Sequence, residues 1–165
     1  MAALIRFFWE LTLLRRTPQE LPDSRWLLGL ALVLHVGVGW LLEVRGLEAE
    51  RAVLAAAGST AVMVVLANLL LAAVNHPERA RRTVTALAGV DVVIGLIARG
   101  GMAVFAPESG MMALWQLLLV LWSLVVTAHI LRHALSTTLL WGMVIALAYA
   151  YLSLALLAPF FYGSL

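Results

Sequence analysis

The sequence predicts an all-α fold, a polytopic integral membrane bundle of five transmembrane helices. The first observation is composition, since 64% of the 165 residues are hydrophobic, 12% are charged, and the mean hydropathy is +1.01. Soluble domains carry about 45–50% apolar and about 25% charged residues, and a soluble fold of this size cannot hide so much apolar surface. The second observation is a series of five apolar segments, each long enough to cross a bilayer. Together they exclude an ordinary soluble enzyme, a disordered tail and a nucleic-acid-binding module.

The chain divides into two regions. Residues 1–24 contain an amphipathic helix, over about 2–14, and a linker with two prolines; residues 25–165 form the transmembrane domain. The amphipathic helix is too short to span, so it lies in the membrane interface or packs on its own bundle, and the sequence leaves both open. Arg6 and Glu10 stand four residues apart and predict an ion pair on one helix face.

Short polar motifs mark where the helices begin. Thr17 and Glu20 are typical of a capping box, with Pro18 at the first position of the turn. Asp23 or Ser24 is predicted to cap the first spanning helix, and Ser109 predicts the N-cap of the fourth.

The predicted spans are 26–42, 52–74, 80–98, 111–131 and 135–158. At 1.5 Å per residue, segments of this length extend about 25–36 Å, enough to cross a hydrocarbon core of about 30 Å. Arg99, Gly100 and Gly101 predict the end of the third span. The residues that follow, 99–110, are a loop or a re-entrant turn.

Arginine placement predicts the topology. All eleven basic residues are arginine. Eight lie in the N-terminal region and in the second and fourth loops, against three in the first and third loops. Cytoplasmic loops carry the excess of positive charge, so the N-terminus is predicted to be cytoplasmic and the C-terminus outside. The absence of lysine, with abundant Ala, Leu, Val and Gly, indicates a GC-rich bacterial genome and therefore a bacterial inner membrane.

Asp91 is the strongest candidate functional residue, because an aspartate at the centre of an apolar span costs about 2.5–3.5 kcal/mol. Counting from the predicted cytoplasmic ends places His35, Asn68 and His129 in the same half of the bilayer. Histidine titrates near neutral pH, so these residues predict a proton- or substrate-coupled polar site. The alternative is interhelical hydrogen bonding that only sets the order of the helices, each bond being worth about 0.6–2 kcal/mol.

Other chemistry-bearing residues give weaker signals. His129 and His133 share a helix face, but no glutamate follows the first histidine and no third ligand is evident, so no metal site is predicted. There is no cysteine, and no motif indicates a cofactor. The arginines of the predicted cytoplasmic face are candidates for contact with lipid headgroups or a protein partner. They are Arg6, Arg15, Arg16, Arg79, Arg81 and Arg82.

A proline-containing cytoplasmic segment followed by five closely spaced helices resembles the Yip family of small multispan proteins. The segment reads Arg15-Arg16-Thr17-Pro18-Gln19-Glu20-Leu21-Pro22. The resemblance covers the whole chain as an architecture and includes no specific motif, so no functional residue is carried over. Eukaryotic members are implicated in membrane traffic and contact small GTPases, a role that is not carried onto a bacterial chain.

The sequence therefore favours a non-enzymatic membrane subunit or scaffold that binds lipids, membrane-protein partners or a second copy of itself. The alternative is a small transporter or channel, in an oligomeric form, that uses the polar site around Asp91. An intramembrane enzyme would need a second ionisable group beside Asp91, so enzymatic activity is left open and disfavoured.

Overall fold

The structure, a computed structural model, describes residues 2–161, with side chains through Ala158. Its six helices are α1 (Ala2–Thr12), α2 (Arg25–Glu43), α3 (Ala49–Ala73), α4 (Ala80–Val104), α5 (Gly110–Ala134) and α6 (Leu139–Phe161). No strand occurs in this part of the chain, and five helices, α2 to α6, are long and apolar enough to cross a membrane. The predicted all-helical class and its five candidate spans are confirmed. Met1 and the last four residues of the predicted 25–165 domain lie outside the described residues.

Helix α4 is the centre of the bundle. Helices α1, α2, α3 and α5 all pack on it, and every residue from Thr83 to Val90 is buried. Helix α6 packs on α5 and α3, and α3 packs on α2, so each of the five long helices contacts at least two others. Small residues allow the close approaches, since a Cβ at Gly95 would overlap the side chain of Val38.

The bundle has two ends, which the inter-helix contacts identify. Arg79 Nη1 donates to the carbonyl of Ala134 at 2.8 Å, and Arg81 Nη1 donates to Asp23 Oδ1 at 2.7 Å. Residues 13–24, 74–79 and 135–138 therefore meet at one end, called the linker end. At the other, called the opposite end, Arg45 Nη1 donates to the carbonyl of Met102 at 3.0 Å. The opposite end contains residues 44–48 and 105–109.

The predicted caps are present. Ser24 Oγ accepts from the Leu27 amide at 3.3 Å, and Ser109 Oγ accepts from the Met112 amide at 3.1 Å. In the linker, the Glu20 carboxylate accepts from the Thr17 amide at 2.9 Å and closes a 3₁₀ turn over Pro18–Glu20. Each bond satisfies a backbone or side-chain group that the helix itself leaves unpaired.

The predicted end of α4 at Arg99 is wrong. It continues without a break through Gly100 and Gly101 to Val104, and the Phe105 amide donates to the Gly101 carbonyl at 2.9 Å. Nothing lies within 4 Å of a Cβ built on Gly100, so no crowding there requires glycine. An apolar environment offers no partner to free backbone groups, which favours continuing the helix over breaking it.

Candidate functional site

A chain of three polar side chains joins α2, α3 and α4 about midway along each helix. His35 Nδ1 lies 2.8 Å from Thr60 Oγ1. On the other side of the imidazole ring, His35 Nε2 lies 3.4 Å from Asp91 Oδ2. Thr60 Oγ1 also donates to the carbonyl of Ala56, one turn earlier in α3, at 2.7 Å. The imidazole therefore bridges a hydroxyl and a carboxylate inside apolar helices.

The three groups differ in exposure. Thr60 is buried, the His35 side chain is 14% exposed, and the Asp91 side chain is 42% exposed. Tyr149 of α6 lies within electrostatic range of Asp91 and packs against the main core. Asp91 thus lies on α4 beside His35 of α2 and within electrostatic range of Tyr149 of α6, with space beside its carboxylate.

A crevice opens between α2, α3 and α4 at the linker end, with a volume of about 490 Å³. Charged residues at its mouth include Asp23, Glu78 and Arg81; its walls include Leu32, Val64, Asn68 and Val84. The polar chain lies on the same helix faces, deeper in the bundle. His35 follows Leu32 by three residues, Thr60 precedes Val64 by four, and Asp91 follows Val84 by seven. At 1.5 Å per residue, the walls stop about 5–10 Å short of the polar chain.

The structure brings together two of the four predicted polar residues, His35 and Asp91. Asn68 is exposed in the crevice, and its Nδ2 donates to the Val64 carbonyl of its own helix at 2.7 Å. His129 lies elsewhere, buried near the linker end, with Nε2 at 2.8 Å from the carbonyl of Arg16. Its ring stacks edge-on against that of His133, with centroids 4.7 Å apart. No group of three His, Cys, Asp or Glu side chains that could hold a metal occurs among the described residues.

Sequence reasoning did not identify Thr60. A hydroxyl in an apolar helix is usually satisfied by its own backbone, as the Thr60–Ala56 bond shows. Its position along the helix is the feature that could have identified it. Thr60 and Asp91 each lie eleven residues into their helices, counted from opposite ends of the bundle. That count places both near the middle of the bundle.

The order Asp91–His35–Thr60 also matches the order of groups in a hydrolytic triad. The hydroxyl of Thr60 is unsuited to nucleophilic attack, because the residue is buried and its hydrogen is directed at the Ala56 carbonyl. A nucleophile must reach its substrate and give its proton to the base. The geometry therefore does not suit covalent catalysis at Thr60.

The N-terminal helix α1 packs on the bundle. The Phe8 ring lies directly against Gly89 of α4, where a Cβ would overlap the ring, and Leu11 is fully buried. This is the second of the two predicted environments. The outer face of α1 nevertheless exposes Ile5 and Trp9, as suits a helix beside lipid.

Three hydrogen bonds hold the end of α1 and the linker along α5. The Trp122 indole N–H donates to the Thr12 carbonyl at 2.9 Å, and Gln19 Nε2 donates to the His133 carbonyl at 2.6 Å. The third is the His129–Arg16 bond. The linker is therefore an ordered part of the linker end.

Alternating charges run along α1 and the linker. Arg6 Nε donates to Glu10 at 2.8 Å, and Arg16 donates to Glu10 at 2.9 Å and to Glu20 at 2.6 Å. The Arg6 guanidinium, followed by that of Arg16, holds the pKa of the Glu10 carboxyl below its ordinary value. Arg16, followed by the Thr17 amide, lowers the pKa of Glu20 in the same way. These contacts define the ion-pair ladder, Arg6–Glu10–Arg16–Glu20.

The other predicted contact arginines also lie at the linker end. Arg79 donates to the Ser136 hydroxyl at 2.7 Å as well as to Ala134. Arg82 Nη1 donates to the Gln19 carbonyl at 3.4 Å, and Arg15 is exposed. Some of these cations thus tie the linker to the bundle, and Arg15 faces outward.

Comparison with known proteins found no matching family model, no matching curated protein and no matching solved structure.

Proposed function

We propose that this chain is a non-enzymatic, multi-pass subunit or scaffold of a bacterial inner membrane. Its linker end binds the anionic headgroups of the bilayer and a membrane-protein partner. The observation that carries the proposal is the ordering of the linker, which two hydrogen bonds hold against α5 while a third holds the end of α1. An ordered surface loses less conformational entropy on binding than a flexible tail does.

Charge supports the choice of the linker end. Seven arginines and four carboxylates lie in its loops, linker and adjoining helix ends. Juxtamembrane cations attract anionic lipids with about 1 kcal/mol each near the surface. Arg15 and Arg25 are exposed there and have room to contact a headgroup.

The proposal places the linker end in the cytoplasm by the positive-inside rule. A reporter that is active only outside the cytoplasm, fused after Leu165, tests this placement. We expect activity there and none when the reporter follows Ser136 in the α5–α6 connection. Cytoplasmic activity of the Leu165 fusion overturns the topology.

Site-specific crosslinking from native membranes tests the binding role. A photoreactive residue replaces Arg15 at the linker end or, as the matched control, Arg45 at the opposite end. We expect one discrete partner adduct from position 15 and none from position 45. In parallel, purified protein is expected to retain phosphatidylglycerol over phosphatidylcholine, and Arg15→Gln with Arg25→Gln to weaken that preference. No adduct and no lipid preference would contradict the proposal.

The second candidate function is a small transporter or channel that uses the polar site around Asp91. The His35–Asp91 contact and the crevice directed toward it favour this function. Reconstituted vesicles carrying a pH-sensitive dye test it with protons as the probe. Flux that Asp91→Asn abolishes and Glu108→Gln preserves supports it, and no flux from the parent chain excludes proton transport.

A further inference from the structure

We propose that His35 and Asp91 bind one proton between them and exchange it with water through the crevice at the linker end. The proton is the ligand of this site, and the crevice is its route. The inference goes beyond both candidate functions, because it holds whether the chain binds partners or carries a solute.

The Thr60 hydroxyl sets the proton count. It has one hydrogen and two neighbours, the Ala56 carbonyl at 2.7 Å and His35 Nδ1 at 2.8 Å. When that hydrogen lies on the Ala56 carbonyl, Nδ1 must carry a proton and donate to the hydroxyl. Nε2 of a neutral His35 is then a bare lone pair facing Asp91.

Two acceptor atoms 3.4 Å apart repel each other unless a proton lies between them. An added proton on Asp91 makes a carboxyl that donates toward Nε2; on Nε2 it makes an imidazolium beside a carboxylate. Either way the pair is neutral, whereas without the added proton it carries a charge of −1. Since an uncompensated charge inside an apolar bundle is costly, the neutral pair is the favoured state.

The other arrangement turns the Thr60 hydrogen toward Nδ1 and lets Nε2 donate to an ionised Asp91. It needs no added proton, but it gives up the Thr60–Ala56 bond and leaves the negative charge on the pair. Both costs disfavour it.

Within residues 2–158, neither His35 nor Asp91 forms a second ion pair. Among the described residues, Tyr149 is the titratable group within electrostatic range of Asp91 from α6. The remaining ionisable groups on α2, α3 and α4 lie at least eight residues along the helix from His35, Thr60 or Asp91; they are Arg25, Glu43, Glu50, Arg51, Arg81, Arg82 and Arg99. On α1, Glu10 is paired with arginine, and on α5 the groups are His129, Arg132 and His133 near the linker end.

The crevice supplies the route. Its mouth holds the Arg81–Asp23 ion pair, and its inner wall holds the Asn68 amide, so polar groups extend inward from the linker end. The lining ends about 5–10 Å short of the polar chain, and the same helix faces continue to it, so the proposed route runs from Leu32 and Val64 along these faces to the Asp91 carboxyl.

Nitrogen NMR of ¹⁵N-histidine-labelled full chain in phospholipid nanodiscs tests the proton count. We expect Nδ1 of His35 to carry the proton that it donates to Thr60, and its Nε2 signal to shift in Asp91→Asn. The matched control is His129→Gln, which removes another buried histidine and leaves both His35 signals unchanged. An unprotonated Nδ1 in the parent chain overturns the proposal, and this result does not depend on how well Asp91→Asn folds.

Cysteine labelling tests the route, because the chain has no cysteine of its own. Val64→Cys places a thiol in the crevice, and the matched control Val65→Cys places one on the adjacent face, where Val65 is 53% exposed on the outer surface. A water-soluble thiol reagent added at the linker end reacts only with ionised, hydrated thiols. We expect the reagent to modify the thiol at position 64 and to leave the thiol at position 65 unmodified. Equal modification of both, or of neither, overturns the route.

Discussion

The hydroxyl of Thr60 and the Nδ1 atom of His35 lie 2.8 Å apart and join the midpoints of α3 and α2. Removing this hydroxyl leaves a buried ring nitrogen without its partner. We therefore expect Thr60→Val, which keeps the shape of the side chain, to destabilise the bundle by about 0.6–2 kcal/mol. Thermal unfolding of purified protein in detergent measures the loss.

Thr60→Ser is the matched control, because it keeps the hydroxyl and removes one methyl group. It should unfold closer to the parent than Thr60→Val does. If the two variants lose equal stability, packing of the methyl group, and not the bond to His35, explains the effect.

The contact between Phe8 and Gly89 makes a second test. A Cβ at Gly89 would overlap the Phe8 ring, whereas a Cβ at Gly100 of the same helix meets nothing within 4 Å. We expect Gly89→Ala to push α1 away from α4, at a net cost of about 1–3 kcal/mol. Gly100→Ala should be neutral or stabilising, because alanine is the better helix former by up to about 1 kcal/mol.

Limited proteolysis of residues 1–24 measures this displacement. Cleavage in Gly89→Ala should be faster than in the parent, and Phe8→Ala in the same chain should restore part of the stability by making room. Equal behaviour of the two alanine variants would show that α1 does not need the close approach at Gly89.

The architecture was predictable because lipid restricts the options. An apolar environment leaves no partner for free backbone groups, so long apolar segments must be helices, and the serine caps at Ser24 and Ser109 follow from local chemistry alone. The end of α4 was not predictable from Arg99 and two glycines. A glycine breaks a helix only if the surrounding structure uses its freedom, and at Gly100 it does not.

The depth of the candidate site residues along their helices was predictable, but the side of the helix that faces each neighbour was not. Counting along the spans put His35, Asp91 and Asn68 in one half of the bundle, but a count does not give the rotation of each helix. Packing sets that rotation, for example where Val38 lies against Gly95. Asn68 therefore lies in the crevice, closer to the linker end than the contact between His35 and Asp91.

The indole of Trp122 anchors the end of α1 through its bond to the Thr12 carbonyl. Trp122→Phe keeps the aromatic packing and removes the donor, so we expect a loss of about 0.5–1.5 kcal/mol and a more protease-sensitive linker. Trp26→Phe is the control, since Trp26 is largely exposed on the outer surface. Matching sensitivity in both variants would show that the indole bond contributes nothing to holding α1.

The ion-pair ladder makes the packing of the N-terminal segment sensitive to low pH. The pKa values of Glu10 and Glu20 are lowered from 4.5 in the folded chain by their arginine partners. A carboxyl whose pKa is lowered by folding stabilises the folded state above its ordinary value, and this contribution is lost as pH falls through the lowered value. We therefore expect α1 to loosen only below about pH 4.5.

The anisotropy of a fluorophore on Ala3→Cys reports this loosening, because Ala3 is exposed on α1. Replacing Glu10 and Glu20 with glutamine should lower the anisotropy already at neutral pH and remove the acid step. Both ladder arginines are exposed, and the Glu10 and Glu20 side chains are 18% and 39% exposed, so high salt should weaken the ladder in the parent as acid does. An acid step that survives in the double variant would assign this sensitivity to another carboxylate at the linker end, of which Asp23, paired with Arg81, is the nearest in sequence to the ladder.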